Sequence, residues 1–236
     1  MSHTLRIGGL TPLTSVDYPG ELAAVVYCQG CPWRCPYCHN GHLLDENDEI
    51  GDAGDAPGQL DWSDVMKRLE SRRGLLDAVV FSGGEPTAQR ALAGAMAEVR
   101  ALGFKVGLHT GGAYPERLQR LLPHLDWVGL DIKALPEDYP HVTSVPGSGE
   151  RAWQSLELLL AAGVALEVRT TPMPGLDSDG YLQRLMQQLA DAGVRNYALQ
   201  QCQDAHLRDG NLRGRLRHLP EEWPSAPFEQ FALRAA

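Results

Sequence analysis

Tyr27-Cys28-Gln29-Gly30-Cys31-Pro32-Trp33-Arg34-Cys35-Pro36-Tyr37-Cys38 follows directly on the apolar run Leu22-Ala23-Ala24-Val25-Val26, and the alternation of elements that starts there sets the fold. Five further short apolar runs read as strands: Ala78 to Ser82, Lys105 to His109, Trp127 to Asp131, Ala165 to Thr170 and Asn196 to Leu199. Between them, helical periodicity covers Trp62 to Arg72, Gln89 to Leu102, Pro115 to Leu122, Arg151 to Ala162 and Tyr181 to Ala192. Gly103, Gly163 and Gly193 stand just past three of these helices, where a left-handed cap favours a residue without Cβ. Six βα units imply parallel strands with right-handed crossovers, so the α/β fold is an open doubly wound sheet or a full or partial barrel. In either case chemistry gathers at the C-terminal strand ends. The cysteines follow the first strand, Gly83-Gly84-Glu85 the second, Thr110-Gly111-Gly112 the third, Asp131 and Lys133 the fourth, and Arg169 ends the fifth.

The cysteine spacing carries the chemistry. Three thiolates separated by three and two residues on an irregular loop can wrap one small inorganic core, as in iron–sulfur proteins. A zinc site made by Cys28, Cys31, Cys35 and Cys38 is the alternative. It is disfavoured because structural zinc sites draw their two pairs from more distant segments, and here only three residues separate them. Cys28 ends a strand, where a buried cysteine is ordinarily a small apolar residue. Cys202 is isolated and receives no role.

The 236 residues, 43% hydrophobic, suffice for one substantial core, expected as a single domain with an N-terminal extension of about 1–20 and a C-terminal tail of about 201–236. No run of about eighteen apolar residues occurs and the N-terminus lacks signal-peptide features, so a soluble, cytoplasmic protein is expected. Five cysteines, four of them clustered, fit metal binding in a reducing compartment better than disulfides. A formal net charge of −9 argues against unspecific nucleic-acid binding. Eight acidic residues between Asp45 and Asp64 face no Lys or Arg, and read as a solvated loop. The basic run Arg208, Arg213, Arg215 and Arg217 could dock an acidic partner, with solvation as the plainer reading.

Cys31-x-x-x-Cys35-x-x-Cys38 with Tyr37 before the last cysteine, together with Ser82-Gly83-Gly84-Glu85-Pro86, resembles the radical S-adenosylmethionine (radical SAM) superfamily. Tyr37-Cys38-His39-Asn40 is similar to the activating enzymes of glycyl-radical enzymes, including the pyruvate formate-lyase activating enzyme. Ile7-Gly8-Gly9-Leu10, Val16-Asp17-Tyr18-Pro19-Gly20 and Asp131-Ile132-Lys133 resemble the anaerobic ribonucleoside-triphosphate reductase activating proteins. The likeness runs from about Ile7 to Gln200.

This resemblance implies a partial (β/α)6 barrel of the TIM-like, radical SAM type. Cys31, Cys35 and Cys38 would bind three irons of a 4Fe-4S cluster, and the amino and carboxylate groups of S-adenosyl-L-methionine would chelate the fourth. Gly83, Gly84 and Glu85 would meet the ammonium group of that cofactor, the glycines by permitting close approach and Glu85 by its charge. Tyr37 would lie against the adenine, Thr110, Asp131 and Lys133 would border the cofactor, and Arg169 would contact its ribose or carboxylate side. The implied reaction forms a 5′-deoxyadenosyl radical that takes a glycine Cα hydrogen. The implied partners are a glycyl-radical enzyme, foremost anaerobic ribonucleotide reductase, and an electron donor such as flavodoxin or ferredoxin, with no membrane and no nucleic acid. Two other readings remain: a radical enzyme acting on a small molecule or peptide, and a non-catalytic four-cysteine metal module.

The chain departs from the activating enzymes at the third strand end. His109-Thr110-Gly111-Gly112 stands where they commonly read Asp-Thr-Asn-Gly, which removes a carboxylate that resembles part of a monovalent-cation site. No extra cysteine insert lies between Cys38 and Ser82, so one cluster is expected. His206 could reach the adenine, though no role is rested on it, and the Trp223 to Phe231 segment, with Pro224 and Pro227, could cover the barrel edge as an extended strap.

Overall fold

Ala23–Cys28 (β2) is apolar, carries consecutive β-branched valines and is buried at all but Tyr27, as befits a parallel strand covered on both faces. The computed structural model describes residues 4–45, 60–203, 207–220, 223 and 226–234. From β2 the sheet extends in register through β3 (Ala78–Gly83), β4 (Lys105–Thr110), β5 (Trp127–Asp131), β6 (Ala165–Thr170) and β7 (Asn196–Gln200), every neighbouring pair parallel. The crossovers run through α1 (Trp62–Glu70), α2 (Leu92–Ala101), α3 (Pro115–Leu121), α4 (Tyr139–Thr143), α5 (Ser148–Ala162) and α6 (Asp179–Asp191). Six parallel strands curve into the partial barrel of the expected class.

Local chemistry explains the shifted helix ends. Asp61 caps α1 by accepting from the Ser63 backbone N–H. The helix stops at Glu70, two residues short of the expected Arg72. Helix α2 starts three residues late because Gln89 is committed elsewhere: its carboxamide pairs with both backbone groups of Arg6 at 2.7 Å, as a ladder residue would. Helix α5 starts three residues early, after Gly147 at φ 70°, because the Ser148 hydroxyl bonds Thr143 Oγ1 at 2.7 Å.

Two strands escape the periodicity. β1 (Ile7–Thr14) pairs antiparallel with β2, and β8 (Gln230–Arg234) pairs parallel with β7, giving eight strands in chain order. Gly8, Gly9 and Pro12 blur β1, whose ladder slips twice. β8 is five residues long, and its Phe231 stacks with Phe228 over Tyr197. That stack is what becomes of the expected strap; residues 224 and 225 within it, like His206 and residues 46–59 of the acidic segment, lie outside the described residues. Among the described residues β1 and β8 do not pair with each other, so the sheet stays open along one side.

Alternation divides the core between the two faces. Ala24, Val26, Val79 and Phe81 join the large cluster under the helices. Ala23, Val25, Ala78 and Val80 point inward, where Tyr18 from the segment after β1 meets Trp127 with ring centroids 5.1 Å apart. Higher in the interior, the carboxylate of Glu167 on β6 is gripped by both Nη atoms of Arg234 on β8, at 2.8 and 2.7 Å. This pair fastens the last strand across its neighbour. No described helix is long and apolar enough to cross a membrane.

Candidate active site

The loop after β2 is built from backbone bonds rather than from regular structure. Gly30 and Cys31 donate to the carbonyls of Leu43 and Leu44, at 2.7 and 2.9 Å, which folds the loop back on itself. Gln29, buried, bridges the carbonyls of His42 and Asp45. Arg34 bonds the carbonyls of Cys31 and Trp33 and reaches Asp45 at 2.9 Å. With this frame in place, Cys31, Cys35 and Cys38 line one cavity of about 270 Å³ at the C-terminal end of the barrel.

All the other sequence-derived site residues line the same cavity: Tyr37, Gly83, Gly84, Glu85, Thr110, Asp131, Lys133 and Arg169. The structure gives the glycines a packing reason as well. A Cβ on Gly83 would lie 2.5 Å from Cys28 N, and one on Gly84 would lie 2.4 Å from the Gly30 carbonyl. Both glycines therefore serve close packing of the β3 turn on the cysteine loop, reinforced by Gly84 N to Cys28 O at 2.9 Å and Glu85 N to Gly30 O at 2.8 Å. Glu85 is likewise fully engaged. Its buried carboxylate accepts from Thr87 N and Oγ1, Thr110 Oγ1 and Gly111 N, so it joins the ends of β3 and β4. Burial raises its pKa, and these four donors work in the opposite direction.

Asp131, Lys133 and Arg169 form a charge relay across the floor. Asp131 bonds Arg169 Nε at 3.0 Å and lies 3.7 Å from Lys133 Nζ. Burial opposes its ionisation, but Arg169 and then Lys133 outweigh burial and hold the carboxyl below its usual range. Lys133 in turn stays cationic despite burial, beside Asp131 and 5.7 Å from the Tyr37 ring centroid.

His109 is the cavity residue whose role the sequence left open. Nε2 lies 2.8 Å from the Asp17 carbonyl, an acceptor, and 3.3 Å from Arg169 Nη1, a donor; the shorter contact favours the proton on Nε2, which leaves Nδ1 to accept from the Ser82 hydroxyl at 3.4 Å. Burial and the nearby Arg169 push its pKa down to about 3, so the imidazole is neutral. The imidazole ties the end of β4 to the Val16–Gly20 segment, while Asp131 is paired with Arg169 and Lys133. Trp33, Asn40 and Gln200, to which the sequence reading assigned no site role, also line the cavity. Trp33 covers Gly111 so closely that a Cβ there would lie 2.3 Å from its ring.

Cys28 stands apart. It is fully buried, follows Ala24 and Val26 into the cluster beneath the helices, and does not line the cavity. Among the described residues no three His, Cys, Asp or Glu side chains converge as a single metal ion requires. The donor set instead suits a polynuclear core. Burial pushes the Cys31 thiol up to about 12 and raises Cys35 too, so these thiols hold their protons until a cationic core displaces them.

The tail packs against this loop. Arg208 N donates to the Cys38 carbonyl at 3.1 Å and Asp209 N to the Pro36 carbonyl at 2.9 Å. The Arg208 guanidinium reaches the Arg34 carbonyl at 3.0 Å, and Arg217 holds Asp179 at 2.6 Å. Two of the four arginines read as solvated thus hold structure together. A second cavity of about 740 Å³ adjoins the first, shares His39, His109, Arg169, Thr171 and Gln200 with it, and is walled by Ser15 to Pro19 on one side and Gln201, Gln203 and Arg234 on the other. It occupies the open side of the barrel.

A radical SAM profile matches residues 25–189, the span that carries the cysteine loop and the strand ends around it. The chain belongs to the radical SAM superfamily. Enzymes of this superfamily use a 4Fe-4S cluster and S-adenosylmethionine, which agrees with the cofactors expected from the motifs. Among relatives of this radical SAM chain, a glycyl-radical enzyme activating enzyme of Methanocaldococcus jannaschii is 27% identical over 214 residues, covering 88% of the chain and 84% of that protein. The pyruvate formate-lyase-activating enzyme of Clostridium pasteurianum is 31% identical over 188 residues, covering 76% and 74%. In fold, the chain resembles Streptococcus suis SuiB, solved with its precursor peptide SuiA, at a TM-score of 0.64 and 13% identity. That match covers 89% of the chain and 48% of SuiB, so the chain spans about half the length of that neighbour.

Proposed function

We propose that this chain is a glycyl-radical enzyme activase whose cluster sits on Cys31, Cys35 and Cys38 and whose protein substrate enters through the open side of the barrel. The observation that carries the reading is the continuity of two cavities: the one lined by the three thiols opens into the wider groove on the side where the edge strands β1 and β8 do not pair with each other. The curated relatives that bear activating-enzyme names support the class.

When bound, the cluster and S-adenosylmethionine supply one-electron cleavage of the sulfonium to methionine and a 5′-deoxyadenosyl radical, which removes a glycine Cα hydrogen. The chain's own residues bind, orient and exclude. Lys133 and Arg169 present fixed positive charge to the cofactor carboxylate, with Asp131 holding both in place. The backbone of Gly83 and Gly84, fixed by Glu85, offers carbonyl acceptors to the ammonium group. Tyr37 and Trp33, both buried and lining the cavity, would supply an apolar wall that limits the entry of water. A glycine suits a crowded passage because it has no side chain to obstruct approach, and its Cα radical is delocalised over the flanking amides.

For the partner, anaerobic ribonucleotide reductase fits best, on the strength of the Ile7 to Leu10 and Val16 to Gly20 motifs, with flavodoxin or ferredoxin as the reductant. The test is anaerobic iron–sulfide reconstitution, dithionite reduction, and incubation with S-adenosylmethionine and each candidate partner. The reading expects 5′-deoxyadenosine together with a glycyl EPR doublet on anaerobic ribonucleotide reductase. A doublet on pyruvate formate-lyase alone would reassign the partner, and cofactor cleavage with no protein radical on any partner would reject the activase reading.

A further inference from the structure

The reductive step needs an electron from outside, and the side of the cysteine loop that faces the barrel is given over to the two cavities. The tail packs directly on that loop. Arg208 and Asp209 bond the carbonyls of Cys38 and Pro36, the last of the three cysteines and a residue between the second and third. The chain then turns tightly, with Leu212 N to Asp209 O at 3.1 Å, Arg213 N to Gly210 O at 3.2 Å and Arg215 N to Leu212 O at 3.0 Å. These successive turns keep residues 210 to 215 compact just after the two residues that bond the loop.

The charge of this cover is opposite to that of the whole protein. The chain carries −9, yet from Leu207 to Arg217 there are four arginines and one carboxylate, Asp209, whose side chain accepts from Asn211 N. Arg217 is neutralised by Asp179. Arg208, Arg213 and Arg215 are exposed, and Arg213 and Arg215 have no ion-pair partner among the described residues. A positive patch on an otherwise anionic protein gives it a local complement to the acidic face of a partner protein.

We infer that the 208–215 turn is the docking surface for a small acidic one-electron carrier protein, which delivers its electron through the cysteine loop. This rests on the radical SAM reading of the three cysteines. The carrier loses one electron and is oxidised by one unit, and no proton or group passes between the proteins.

The experiment uses the reconstituted full-length protein, with Arg213→Glu/Arg215→Glu as the variant and Arg208 left intact. Cluster reduction is followed by loss of visible absorbance in a stopped-flow instrument, with reduced flavodoxin or, separately, dithionite. The wild type is expected to be reduced by flavodoxin at a rate that falls steeply with salt, and the variant about tenfold more slowly at low ionic strength with a flattened salt dependence. Dithionite reduction, and the glycyl-radical yield it supports, should be unchanged. Equal flavodoxin rates in the two proteins would overturn the proposal. So would parallel loss with dithionite, which would assign the arginines to holding the loop, or a raised KM for the protein substrate under dithionite, which would assign the patch to that partner. If dithionite-reduced wild type fails to cleave S-adenosylmethionine, the functional reading itself fails, whatever the flavodoxin rates.

Discussion

Gly84→Ala separates two reasons for a glycine at the end of β3. Its Cβ would stand 2.4 Å from the Gly30 carbonyl oxygen and 2.9 Å from that of Leu43, both backbone atoms with no rotamer to escape into. The Gly30 carbonyl must retreat by about 0.6 Å to reach even a 3.0 Å contact, and it already accepts from Glu85 N at 2.8 Å. Overpacking of this kind costs about 1–3 kcal/mol. Because Gly30 adjoins Cys31, the displacement is transmitted to the first thiol, and the expected outcome is a reconstituted protein with less than half of the wild-type iron and sulfide. Gly94→Ala is the control: nothing lies within 4 Å of its Cβ, and removing a glycine from the interior of α2 should stabilise by about 0.5–1 kcal/mol. The assay is iron and sulfide content after anaerobic reconstitution, alongside urea denaturation. A G84A protein with full cluster and unchanged stability but lost S-adenosylmethionine binding would refute loop packing and restore ligand approach as the reason for the glycine.

Three further outcomes are expected. Cys28→Ser should keep its cluster at a stability cost of about 1–3 kcal/mol for a buried hydroxyl, while serine at 31, 35 or 38 should abolish iron binding in the same reconstitution assay. Arg234→Ala leaves buried Glu167 uncompensated; with the arginine side chain 34% exposed, the loss is discounted to about 2–3 kcal/mol, a fall in Tm of roughly 5–10 °C by calorimetry, partly recovered in Arg234→Lys. His109 has a folded pKa near 3, below its unfolded value, so the unfolded chain takes up a proton that the folded chain refuses. Its contribution is complete above about pH 6.5 and falls towards pH 3 by up to about 1.4 kcal/mol per unit, a slope that His109→Gln should lack in urea titrations compared across pH 4–7.

Where the chain repeats a physical pattern, its sequence was legible. Strands Trp127–Asp131 and Ala165–Thr170 have the expected ends because continuous apolar runs bounded by polar residues admit few other readings. The three cysteines and the strand-end residues were found because their spacing is short and the parallel topology brings strand ends together. What stayed hidden rests on contacts without periodicity. β1 contains two glycines and a proline, and the tail meets the cysteine loop through backbone N–H groups of Arg208 and Asp209, which any residue but proline could supply. Gly84 and Glu85 were identified as cavity residues, but the atoms they meet belong to segments more than fifty and about twenty-five residues away, and no local pattern encodes such pairings.

The tail also imposes an order in time. Gln203, whose carbonyl holds His39, and Arg208 and Asp209, which hold Cys38 and Pro36, are synthesised after all six barrel strands. During translation the barrel can therefore assemble while its three thiols still lack their outer cover. A chain that stops before about residue 207 would retain every cysteine and every barrel strand, yet leave the loop permanently in that unguarded state, open to oxidants and to the wrong metal.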